Sequence, residues 1–171
     1  MDSLYDREAV RPMWEELSYV GIEPLTTAEE VDAALGNAEG TALLVINSVC
    51  GCAAGGARPG ATLSLQHTTI PDRLYTVFAG VDRAAVERAR GYMPGIPPSS
   101  PFIALFKEGK PVFTLPRHQI EQMDAPAIAR ALAQAYDAHC SRQGPSVPRE
   151  VFEKNVSVSQ CGSTIPLAGP R

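Results

Sequence analysis

Cysteine, basic charge, aromatic rings and long apolar runs are all scarce in this sequence. Only four of 171 residues are cysteine, and a chain of this length buries a sizeable core without covalent staples. Lys and Arg number 15 against 19 Asp and Glu, a net charge of −4, which removes the electrostatic case for nucleic acid or a membrane surface as partner. Aromatic residues make up 6%, which counts against base-stacking platforms. The longest aliphatic run, Ala42 to Ile46, is far shorter than the roughly 20 residues that cross a bilayer. The opening MDSLYDREAV has neither the basic nor the apolar region of a signal peptide. No repeat or long charge run interrupts a composition of 44% hydrophobic and 20% charged residues, that of one ordinary soluble domain with a short appendage. The expected compartment is a reducing cytoplasm, where thiols close together in sequence are more often catalytic or metal-binding than structural.

What is present is an alternation of helix and strand signals. Val10, Met13, Trp14 and Leu17 mark an amphipathic helix over roughly residues 6–20, stopped by Gly21, with Pro12 implying a kink or a late start. Ile22 to Leu25 reads as a short strand, and Thr27 with Glu30 is a capping-box pattern opening a helix to about Leu35. TALLVIN, Thr41 to Asn47, has the continuous apolar character of a buried parallel strand. It leads into Cys50-Gly51-Cys52, an Ala/Gly-rich stretch and a helix to about His67. Arg73 to Ala79 is the next strand, and Asp82 is placed to cap a helix ending near Gly91. After the Pro-rich loop Pro94 to Pro101, the strands Phe102 to Phe106 and Pro111 to Leu115 flank a Gly-containing turn, which predicts a hairpin. Asp124 and Pro126 open a final helix with Ile128, Ala131, Leu132, Ala135 and Tyr136 as its buried stripe, ending at about Cys140. Residues 141–171 carry Pro, Gly and Ser without periodicity and read as an extended or partly disordered tail. The order predicts an α/β fold: a domain over 1–140 with a mixed sheet, helices on both faces and right-handed crossovers. Such a three-layer sandwich resembles the thioredoxin layout.

The chemistry concentrates at Cys50 and Cys52. A thiolate is the nucleophile in disulfide exchange, and a helix N-terminus favours its charge. Cys50 sits where a buried strand gives way to a helix, so its pKa is expected below the free value of about 8.5. Side chains at i and i+2 do not face each other on a helix. A Cys50–Cys52 disulfide would then need backbone adjustment, which Gly51 tolerates best, and a strained bond is the easily reduced kind. Two other readings stay open at this point: cysteines packed as small hydrophobes, or half of a metal clip, although no second ligand pair accompanies it. Gly55, Gly56 and Gly60 are not followed by the Lys-Ser/Thr of a phosphate loop.

A proline before an inner strand, as in Ser100-Pro101-Phe102, cannot donate to the ladder and marks either a loop end or a cis turn. PFIALFKEG resembles the stretch after the cis-proline of the thioredoxin superfamily. NSVCGCAAGGARP (Asn47 to Pro59), RLYTVFAGVD (Arg73 to Asp82), GIPPSSP (Gly95 to Pro101) and PRHQIE (Pro116 to Glu121), with VRPMWEEL and GIEPLTTAEEVD nearer the start, are similar to the bacilliredoxin family. The likeness spans about residues 4–140. It implies a thioredoxin-like fold and removal of bacillithiol, or a similar low-molecular-weight thiol acting as co-substrate, from mixed disulfides on oxidised cytosolic proteins, with no bound cofactor or metal. It also implies Cys50 as attacking thiol, Cys52 as resolving thiol, Pro101 as cis-proline and Ser100 as a backbone contact for substrate. Disulfide isomerase activity is implied as an alternative. Two features depart from the pattern: LLVINSV lacks the buried acid and the Trp of ordinary thioredoxins, and the tail with Cys161 lies beyond the likeness.

The remaining candidates rank below these. His67, His118 and His139 are proton-transfer candidates, His139 reading as structural and His118 following Arg117 in the matched segment. Arg58 is a cation for an anionic thiol or else a solvated charge. Cys140 reads as packing. Cys161 is a candidate extra resolving thiol.

Overall fold

The computed structural model describes residues 3–37 and 39–161, the side chains of 156–161 excepted. The elements run α1 (Arg11–Ser18), β1 (Glu23–Pro24), α2 (Ala28–Leu35), β2 (Thr41–Asn47), a π-helical turn (Ala53–Ala57), α3 (Arg58–Ser64), β3 (Thr69–Ile70), β4 (Arg73–Phe78) and α4 (Arg83–Gly91). They continue through β5 (Phe102–Lys107), β6 (Lys110–Leu115), α5 (Arg117–Ile120), α6 (Ala125–His139), β7 (Arg142–Gln143) and α7 (Arg149–Cys161).

Five strands form a mixed sheet in the order β1-β4-β2-β5-β6. The central strand β2 runs parallel to β4 and antiparallel to β5, and every one of its residues is buried. Alternate residues of a strand point to opposite faces, and both faces are covered. Leu43, Val45, Ile103 and Leu105 pack with Ala61 of α3, with Leu65 just after it, and with Ile128, Leu132 and Tyr136 of α6. Leu44, Ile46, Phe102, Ala104 and Phe106 pack with Val31 and Leu35 of α2 and with Ala85, Val86 and Ala89 of α4. Burial on both sides is why TALLVIN is continuously apolar instead of alternating. The result is the expected α/β sandwich of thioredoxin-like layout.

Of the two readings of Pro12 the late start is the one observed: the first helix begins at Arg11, not near residue 6, with Pro12 in its first turn where the missing N–H costs nothing. Two further expectations need correction. Asp82 precedes α4 but makes no side-chain cap; its carboxylate pairs with Arg7 instead. The segment expected to be an extended tail is partly regular. β7 pairs antiparallel with β3, and α7 follows. Ser146 donates to the carbonyl of Val20 at 2.7 Å and Asn155 to that of Glu16 at 3.2 Å, while Val147 and Phe152 pack on the core. Between Pro148 and Gly162 the sequence has neither proline nor glycine, so nothing there blocks a helix. The Cys161 side chain lies outside the described residues.

Candidate active site

The C-terminal end of β2 passes through Ser48 and Val49 into Cys50, whose carbonyl accepts hydrogen bonds from the N–H groups of both Ala53 and Ala54 at 3.1 Å. Cys50 is therefore the cap residue of the helical stretch that follows. That stretch opens as a π turn, and Arg58 donates its N–H to Ala53 five residues back. Pro59 has no N–H and its ring crowds the carbonyl four residues earlier, so a regular α ladder is interrupted here and the wider turn absorbs it. Small residues set the depth of the segment. A Cβ on Gly60 would lie 2.6 Å from Ile128 Cγ2, so only glycine lets α3 approach α6 this closely.

The two sulfurs lie 2.8 Å apart as free thiols, hydrogen-bonded to one another. This corrects the expectation that residues two apart would splay. The facing rule holds inside a helix, whereas Cys50 stands at the cap and its side chain turns back over the first turn. Gly51 is exposed and a Cβ there would meet nothing within 4 Å, so the pair meets without any space that only Gly51 could provide.

The thiols are electrostatically unlike. Burial opposes ionisation of Cys50, but hydrogen bonds from Cys52, Ser48 and the Ala53 N–H, together with the charge of Arg117, outweigh it and hold its pKa below the ordinary thiol value. The Ser48 oxygen also accepts from the Cys50 N–H at 3.2 Å. Burial pushes the Cys52 pKa up, and the hydrogen bond and negative charge of Cys50 push it further, against Arg117.

The other half of the site comes from the start of β5. Ile46 lies opposite Phe102, so Pro101 stands at the same sheet end as Asn47 and the loop to Cys50. The Ser100–Pro101 bond is cis, as the resemblance implied. Arg117, at the start of α5, is held in this half, and its charge acts on both thiols. Its N–H donates to Ser99 Oγ at 3.2 Å, its Nη1 to the Ser100 carbonyl at 3.3 Å and its Nε to Glu121 at 2.6 Å. Sequence reasoning missed Arg117, because nothing in its spacing announces a contact across the fold.

Beneath the thiols is a buried polar layer, also missed. Arg58 is neither solvated nor open to an anionic ligand: it is 2% exposed and donates to Glu16 Oε2 at 3.0 Å, Asn47 Oδ1 at 3.1 Å and the Ser48 carbonyl at 2.8 Å. Asn47 Oδ1 also accepts from the Ser48 N–H, and Asn47 Nδ2 donates to the Met13 carbonyl. The acid absent from LLVINSV thus comes from α1 as Glu16, its pKa raised by burial against the pull of Arg58. His67 pairs with Asp137, and among the described residues no histidine bonds either thiol. Cys140 is influenced by Thr41, Asp72 and Lys107, which lie at the opposite end of β2 and β5, about 20 Å from Cys50 along a seven-residue strand. Among the described residues no three His, Cys, Asp or Glu side chains cluster as a metal site, and no helix is long and apolar enough to cross a membrane.

Residues 5–140 match the family model described as "Disulphide isomerase". A bacilliredoxin of Salinibacter ruber is 52% identical over 143 residues, covering 82% of this chain and 84% of that one. A bacilliredoxin of Shouchella clausii is 51% identical over 138 residues, with 81% and 95% covered. One of Staphylococcus aureus is 46% identical over 140 residues, with 82% and 96% covered.

Proposed function

As a member of the disulphide isomerase family, whose matched relatives are bacilliredoxins, this chain has a thiol–disulfide redox role, and we propose that it strips a low-molecular-weight thiol of the bacillithiol type from mixed disulfides on oxidised proteins. The observation that carries this is the pair of unlike thiols 2.8 Å apart at a helix cap. In the proposed reaction the Cys50 thiolate attacks the small-thiol sulfur of the mixed disulfide. A Cys50–small thiol disulfide forms and the substrate protein leaves as a thiolate. Cys52, deprotonated, then attacks Cys50 and expels the small thiol, leaving the enzyme oxidised by two electrons as a Cys50–Cys52 disulfide. A further thiol reductant returns both cysteines to the reduced form. Ser100 and Pro101 border the space the substrate chain would enter. The compartment we propose is the reducing cytoplasm, where both thiols stay free.

The decisive experiment is a Cys52→Ala variant challenged with an S-bacillithiolated protein and analysed by intact mass. A stable Cys50–bacillithiol adduct is the expected result. Absence of an adduct with any low-molecular-weight disulfide overturns the proposal. The family description favours one second reading, isomerisation of protein disulfides; there Cys52→Ala accumulates Cys50-linked protein conjugates from scrambled substrates and no small-thiol adduct.

A further inference from the structure

Arg117 is the exposed cation of the site. Arg58, which bonds the loop before Cys50, is spent on Glu16, Asn47 and Ser48 and closed to solvent. Arg117 is 46% exposed. Its backbone is pinned by Ser99, its Nη1 by the carbonyl of Ser100 beside the cis-proline, and its Nε by Glu121. Two anchored edges fix the plane of the guanidinium, and among the described residues no contact takes its Nη2. The same charge is felt by both sulfurs. A fixed, half-exposed guanidinium beside a pair of thiols is suited to a planar anion carried by whatever is bonded to those thiols.

We propose that Arg117 recognises a carboxylate on the small thiol while that thiol is disulfide-bonded to Cys50, so that the enzyme selects anionic leaving thiols over neutral or cationic ones. This rests on the proposed removal of small thiols. Glu121 opposes a second carboxylate, but it is 48% exposed and engages only Nε, so solvent screens the repulsion and the Nη2 edge is left to the ligand. The chemistry recognised is the carboxylate, whichever molecule bears it.

The test uses one single-cysteine reporter protein as three mixed disulfides, with 3-mercaptopropionate, 2-mercaptoethanol and cysteamine. These thiols are alike in size and differ in charge. Initial rates give kcat/KM for the full-length enzyme and for Arg117→Ala, Arg117→Lys and Arg117→Glu. The wild type is expected to prefer the 3-mercaptopropionate adduct over the 2-mercaptoethanol adduct by about three- to five-fold, the size of one partly exposed ion pair. Arg117→Ala abolishes that ratio, Arg117→Lys keeps part of it and Arg117→Glu shifts preference to cysteamine. Arg117 also favours the Cys50 thiolate, so a uniform fall across all three substrates is not recognition; an unchanged ratio in Arg117→Ala overturns the inference, as does a wild type indifferent to charge. Removal of none of the three thiols by the wild type overturns the proposed function and this inference with it, whereas removal without charge preference overturns the inference alone.

Discussion

Replacing Arg58 with methionine keeps most of the aliphatic length of the side chain and deletes its charge. The residue is 2% exposed and bonds three acceptors, one of them the Glu16 carboxylate, whose own side chain is 15% exposed. Stranding one member of such a pair costs about 3–5 kcal/mol. The lower end, about 3 kcal/mol, applies here because Glu16 keeps some access to water and takes a proton in place of its partner. At about 2–4 °C per kcal/mol for a domain this size, the thermal midpoint falls by about 6–12 °C. The assay is urea unfolding of the reduced protein at neutral pH, for Arg58→Met, Glu16→Gln and the double variant. Removing the orphaned charge restores part of the loss, giving a coupling energy of about 1–3 kcal/mol. Acid sharpens the test. Burial holds the Glu16 pKa above its ordinary value even beside Arg58. The folded chain therefore binds this proton at higher pH than the unfolded chain. The resulting stabilisation is complete below the ordinary carboxylate value of about 4.3 and is lost as pH rises through the folded pKa. Without Arg58 that pKa climbs further, so Arg58→Met recovers stability relative to wild type on moving from neutral pH to about pH 5. A loss below about 1 kcal/mol, or no rescue by Glu16→Gln, would refute the reasoning.

Ser48→Ala removes a hydroxyl that favours the Cys50 thiolate, so the pH profile of iodoacetamide alkylation at Cys50 moves to higher pH; an unmoved profile contradicts the assignment. Burial raises the Cys140 pKa, so in the folded protein at neutral pH Cys140 alkylates more slowly than Cys50, and peptide mapping should show the difference vanish in denaturant. Gly60→Ala sets a Cβ 2.6 Å from Ile128 Cγ2 and 2.7 Å from its Cβ, an overpacking of about 1–3 kcal/mol that Ile128→Val partly relieves. Gly51→Ala, facing open space, changes stability by less than about 0.5 kcal/mol; a larger loss in chemical denaturation would show a backbone requirement at Gly51.

What the sequence made legible was whatever local physics decides. TALLVIN reads as a strand covered on both faces because alternation is missing, and Thr27 reads as a cap because its hydroxyl has Glu30 three residues on to accept from, as it does at 3.1 Å. Cys50 reads as a thiol of lowered pKa because a strand-to-helix junction favours negative charge, and its pKa is lowered, with the Ala53 N–H among the causes. The failures are all of longer range. Arg58 lies between small residues and a proline, a setting that suggests surface, and only the approach of α1 with Glu16 closes over it. Arg117 is separated in sequence from Cys50 by four strands and the helices α3 and α4, and only the β2–β5 pairing brings its neighbourhood to the thiols. The helix Arg149–Cys161 was hidden by the prolines before it, because its docking depends on a few contacts such as Asn155 to Glu16.

The site turns two identical residues into unlike ones by position. Cys50, at the cap, receives the Ser48 hydroxyl and the Ala53 N–H, while Cys52, inside the first turn, meets the charge of Cys50. Ionising one opposes ionising the other, so the first proton to leave the reduced pair leaves its charge on Cys50. In the proposed reaction that arrangement also times the second step. Once Cys50 is bonded to the small thiol its charge is gone, and with it the negative charge and hydrogen bond that keep the Cys52 pKa high. Burial still opposes ionisation of Cys52, but Arg117 now acts on it without competition from a neighbouring thiolate. The resolving thiol is thus held neutral while the pair awaits substrate and becomes easier to ionise when there is a disulfide for it to attack.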